Sequence, residues 1–140
     1  MIFEMFVSFV AVLAFAVIFD VSKSELVFCG ISGLVSEGIY LMIMRVNNEE
    51  AFAVLLAALI TTSLARILAN IRKVPVTVYL ICAIIPLVPG AGMYKTVYGI
   101  IASDYHRAAL AGIDTIKTAT EIAVGIFLVF ALPNKIFLKK

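Results

Sequence analysis

Residues 84–100 read IIPLVPGAGMYKTVYGI: two prolines, three glycines and a lysine in a run otherwise apolar enough to enter a bilayer. Pro86 and Pro89 lack a backbone donor, and each frees a carbonyl about four residues upstream. Gly90 and Gly92 let the chain leave helical dihedrals at low steric cost. Non-helical backbone at membrane depth survives only where protein buries it or it lines a water-filled cavity. The stretch therefore predicts a membrane helix broken across residues 86–92. Such a break either builds a binding element or is a proline kink that only shapes packing.

The rest of the chain has the composition of a membrane protein. Of its 140 residues, 64% are hydrophobic and 14% charged, with a mean hydropathy of +1.14. An ordinary soluble domain is about half apolar and about a quarter charged. A net charge of +2 without a dense Lys/Arg run excludes a nucleic-acid partner. Cys29 and Cys82 lie inside apolar stretches and read as small hydrophobes. His106 has no ligand-type neighbour, so neither a metal nor a cofactor is expected. There is no HExxH, GxSxG or Walker-type loop, and an enzyme is not expected. Ala14-Phe15-Ala16 resembles a signal-peptidase site, but the only charge before Asp20 is Glu4. A secretory signal opens with basic residues, so the first segment reads as an uncleaved membrane helix.

Five apolar segments follow one another, at about residues 3–19, 26–44, 51–69, 76–103 and 111–132. A span needs roughly 20 residues. The second, third and fifth segments meet this, the first is short, and the fourth is long enough if its break is tolerated. The expected fold is an all-α, polytopic membrane helical bundle of about five spans, forming one integral membrane domain over residues 1–140. With five spans, Lys23, Arg66, Arg72, Lys73, Lys135, Lys139 and Lys140 share one side, against Arg45 and Arg107 on the other. The positive-inside rule then puts the N-terminus outside and the C-terminus in the cytoplasm.

Ionisable groups at membrane depth are costly and mark function by default. Glu37 sits mid-segment on one helical face with Gly30 and Gly33, in GISGLVSEGIYLM. It either fixes packing against a neighbouring helix or serves cargo or a proton. Asp114, Lys117 and Glu121 share a face in AGIDTIKTATEIAVG. Lys117 and Glu121 form either a static intrahelical pair or a coupling site. Arg66 reads as snorkelling to the nearby link, and Tyr79, Tyr94 and Tyr105 as interfacial anchors. After the break come Met93, Tyr94, Lys95 and Thr96, so a half-helix N-terminus beside a lysine favours an anionic group. A zwitterionic amino acid or a small carboxylate fits that chemistry.

The run VPVTVYLICAIIPLVPGAGMY, with Pro86, Pro89, Gly90 and Tyr94 as Pro-x-x-Pro-Gly-x-x-x-Tyr, resembles the signature of the threonine/serine exporter family. GISGLVSEGIYLM and the short basic link before the fourth segment are also similar to that family's small membrane subunit. The resemblance implies proton-driven export of threonine and serine, together with a larger membrane partner subunit. Some two-subunit members are associated instead with succinate. A non-transporting assembly subunit is the remaining alternative, and a homo-oligomer is possible because five spans are few for a carrier. The candidate cargo-binding or coupling residues are Glu37, Pro86, Pro89, Gly90, Gly92, Tyr94, Lys95, Lys117 and Glu121.

Overall fold

In a computed structural model, residues 2–133 are described, and all their regular structure is helical. The order is α1 (Ile2–Ile18), α2 (Leu26–Asn47), α3 (Glu50–Arg72), α4 (Val76–Ile84), a 3-10 turn (Ile85–Leu87), α5 (Gly90–Ile101) and α6 (Tyr105–Ala131). Lys135, Lys139 and Lys140 lie outside the described residues.

By length and composition, α2 and α3 each suffice to cross a membrane, and α4 with α5 would make a third span bent by 59°. The five-span expectation meets two differences. Helix α1 has 17 residues, about 26 Å of rise, short of a hydrocarbon core of about 30 Å. Helix α6 has 27 residues but carries Asp114, Lys117 and Glu121 within its apolar run, so it falls outside the set apolar enough to span alone.

The break is narrower than expected, and proline makes it rather than glycine. Pro86 has no N–H for the Cys82 carbonyl, and the backbone tightens into the 3-10 turn. Val88 then turns extended (φ −63°, ψ 128°), as a residue before proline must, and its N–H closes on the Ile85 carbonyl at 3.2 Å. Gly90 and Gly92 are helical residues in the first turn of α5, and no glycine has positive φ among the described residues. Gly92 is needed for close approach instead: a side chain there would strike the Thr115 hydroxyl of α6, whereas Gly90 faces open space.

Helices α1–α4 pack together, α6 joins through α3, and α5 packs substantially against α6 alone among the described residues. Lipid supplies no hydrophobic drive between helices, so small residues and close backbones must hold them. Val12 of α1 fills the space over Gly33 of α2, and Ala58 with Leu55 of α3 meets Gly125 of α6. One apolar cluster includes Val12, Cys29, Ala65, Tyr79 and Cys82, and a second includes Val54, Ala58, Leu87 and Ile122. The two cysteines are free and buried, as small hydrophobes would be.

One end of the bundle is tied by polar contacts. Glu25, in the α1–α2 link, accepts from Arg72 Nη2 at 2.8 Å and Nε at 3.2 Å, and from the Tyr79 hydroxyl. Tyr79 is thus wholly buried, which corrects its reading as an interfacial anchor. Arg66 is also buried, and snorkelling is replaced by donation to the Val129 and Leu132 carbonyls at the end of α6. Its guanidinium lies 5.4 Å from the Phe130 ring centroid. The first link, the end of α3 and the end of α6 therefore gather toward one end of the bundle.

Candidate functional site

Helices α5 and α6 form an antiparallel hairpin closed by residues 102–104. The Asp104 carboxylate accepts from the Arg107 N–H at 3.2 Å and caps α6. Gly92 faces Thr115, Gly99 faces Ala108, and Thr96 lies against Gly112, so small residues bring the two backbones close. The C-terminal half of α6 runs parallel to α3, because Gly125 meets Leu55 and Ala58 while Arg66 reaches Val129. One turn back from Gly125 stands Glu121, level with the first turns of α3. From there α6 continues for about 24 Å of rise back to Tyr105, with α5 at its side.

A cleft of about 970 Å³ opens along this hairpin and over the start of α3. Helix α5 contributes Ala91, Gly92, Tyr94, Lys95 and Tyr98, with Pro89 just before it and Ala102 just after it. Helix α6 contributes Arg107, Ala111, Asp114, Lys117, Thr118 and Glu121, and α3 contributes Glu50 and Ala51. Tyr94 and Tyr98 stack with centroids 5.9 Å apart. Among the described residues no side chain caps the α5 N-terminus. The Gly90 N–H closes on the Val88 carbonyl at 2.7 Å, and the next N–H groups of the first turn, with the positive dipole end, favour an anionic group. Lys95 lies one turn further along the same face. Asp104 and Arg107 satisfy each other at 3.2 Å. Lys117 and Glu121, one turn apart on α6, line the cleft together without closing a direct ion pair among the described residues.

Six of the nine expected residues thus share one cleft: Pro89, Gly92, Tyr94, Lys95, Lys117 and Glu121. Glu37 and Pro86 stand apart, in a smaller groove of about 300 Å³ shared with Glu4 and Ser8 of α1. The face of α2 that bears Gly30, Gly33 and Glu37 does look inward, as expected, and α1 is what packs on it. Gly90 belongs to neither group. Sequence reasoning missed Glu50, which looks like a polar link residue until α3 is set beside α6. It also missed the Glu25–Arg72–Tyr79 clasp, whose only sequence signal is an acid and a base in links that five-span alternation puts on one side. The Arg72 guanidinium, then the Tyr79 hydroxyl, hold the Glu25 carboxyl down at about 2.

What the cleft can do chemically is bind, in one place, a group of each sign. Its cations and carboxylates interleave, aromatic faces lie beside them, and nothing in it forms a nucleophile–base pair of the kind covalent chemistry needs. Its volume is near the upper end of the range of about 300–1,000 Å³ for ligand pockets. No curated protein and no solved structure matches the chain. A family model described as "Threonine/Serine exporter, ThrE" matches residues 4–132, nearly the full length. This helical membrane chain with a charge-lined cleft at a broken helix belongs to the threonine/serine exporter family, a family of transporters.

Proposed function

We propose that the chain is a subunit of a secondary transporter that exports threonine and serine from the cell, driven by protons and completed by a larger membrane partner. The observation that carries this reading is the pairing, in one cleft, of an uncapped half-helix N-terminus and Lys95 with the carboxylates of Asp114 and Glu121. The cargo carboxylate binds at the α5 N-terminus and Lys95, and its ammonium group turns toward the carboxylates of α6. Glu121, half-buried at the inner end of the cleft, is the proton carrier in this scheme. The bundle sits in the cell membrane with its clasped, lysine- and arginine-bearing end on the cytoplasmic side. The partner supplies the wall that α5 lacks.

The test is efflux of labelled threonine and serine from vesicles containing the chain and its partner. Lys95→Ala and Glu121→Gln should each abolish efflux while the two subunits still co-purify. Unchanged flux in both variants would refute the scheme. Loss of association instead of flux would favour an assembly role.

A further inference from the structure

We propose that Glu50, in the first turn of α3, sets the charge selectivity of the cleft, admitting a zwitterion that carries one carboxylate and rejecting a dicarboxylate. The inference rests on the reading of the cleft as the cargo site. Among the described residues, Glu50 and Ala51 are the only cleft-lining ones contributed from outside residues 89–121, and of the two Glu50 is charged. The parallel register of α3 and α6 brings it there. Gly125 packs on Leu55 and Ala58, so one turn back on both helices Glu121 and the start of α3 stand side by side over the cleft.

Its weight follows from the charge balance. Asp104 and Arg107 are committed to each other. Of the remaining charged groups, Lys95 and Lys117 face Asp114, Glu121 and Glu50. Without Glu50 the two cations and two carboxylates of the hairpin cancel. With it the cleft is net negative while Glu121 is ionised and neutral when Glu121 carries its proton, whereas without it the cleft would be net positive in that protonated state. A zwitterion enters such a site without changing its charge, and its ammonium group gains a third carboxylate. A dicarboxylate adds two negative charges to a site that is not positive, and like charges brought together discriminate against it. An acidic residue in a helix first turn also suits the helix dipole, but Glu49 directly precedes Glu50 and serves the same end of α3. A dipole role would alter the stability of α3 and leave the ranking of ligands untouched.

The experiment uses the full-length chain together with its membrane partner in lipid nanodiscs, with labelled L-serine displaced by unlabelled L-serine, L-threonine or succinate. The wild type should release serine to threonine and not to succinate. Glu50→Gln should weaken serine binding by about fivefold, the scale of a solvent-exposed charge pair, and let succinate compete. Glu50→Lys should reverse the ranking, and Glu50→Asp should keep it. Thermal melts by circular dichroism show that each variant is folded. Should Glu50→Gln and Glu50→Lys both retain the wild-type ranking while Lys95→Ala loses serine binding, the role of Glu50 is refuted and the cleft reading stands. Should the wild type fail to bind serine, or Lys95→Ala bind it normally, the cleft reading falls and takes this inference with it.

Discussion

Gly125 is where α6 touches α3, and adding one methyl group there tests the packing that holds Glu121 at the floor of the cleft. A Cβ at residue 125 would lie 2.8 Å from the Ala58 Cβ, 3.2 Å from the Leu55 carbonyl oxygen and 3.3 Å from the Leu59 nitrogen. Carbon atoms settle at about 3.5–4.0 Å, so the helices must part by roughly 1 Å along this line. Two of the three obstacles are backbone atoms that no rotamer change can move. Overpacking of this kind costs about 1–3 kcal/mol, and the better helix propensity of alanine returns about 0.8–1.0 kcal/mol. Gly125→Ala should therefore lose about 1 kcal/mol, and Gly125→Leu should lie at the upper end of the overpacking range. Ala58→Gly added to Gly125→Ala removes the closest obstacle but forfeits about 0.8–1.0 kcal/mol of helix propensity in α3, so the double variant should be more stable than the sum of the two single losses. The assay is unfolding in mixed micelles titrated with sodium dodecyl sulfate and followed by far-ultraviolet circular dichroism. If Gly125→Ala were as stable as the wild type, and the two substitutions were simply additive, close α3–α6 contact would not be what holds the two helices.

Three more perturbations test other parts of the structure. The Glu25 carboxyl is held at about 2, below its ordinary 4.5, so its stabilising contribution is full above about 4.5 and lost as the pH falls toward 2; Glu25→Gln should flatten the acid limb of an unfolding-midpoint-against-pH profile. Gly90→Ala places a methyl group in open space on helical backbone, so detergent unfolding should show a gain of about 0.4–1 kcal/mol; a loss would mean that α5 starts elsewhere. Arg66→Met removes donors from the Val129 and Leu132 carbonyls. Hydrogen bonds from charged groups contribute about 1.5–3 kcal/mol each, so amide exchange in the last turn of α6 should speed up while that of α2 stays unchanged.

The apolar runs located the helices because apolar residues fill most of each element's length. Segment 3–19 became Ile2–Ile18, and 51–69 became Glu50–Arg72. The start of α6 was placed six residues late, since Tyr105–Leu110 includes His106 and Arg107 and the helix begins where Asp104 caps it. Pro86 and Pro89 marked the break correctly because a missing N–H acts on its own chain neighbours. Gly90 and Gly92 misled because glycine serves both unwinding and close approach, and only the position of Thr115 decides between them. The same limit hid Glu50, Arg66 and Tyr79. Their roles depend on which helix stands opposite, and helical period alone does not carry that information.

The unequal partnership of the two halves of the broken helix also bears on how the chain is made. Helix α4 can seat against α2 and α3, which are already synthesised when it emerges. Among the described residues helix α5 packs substantially only against α6, whose contact residues Ala108, Gly112 and Thr115 are translated after it. The prolines separate these two events: the first half docks at once, and the second waits for the next helix without pulling its neighbour out of place. An unbroken helix across the same residues would tie an early, settled contact to a late one, and the nascent chain would hold an apolar surface in suspense for longer.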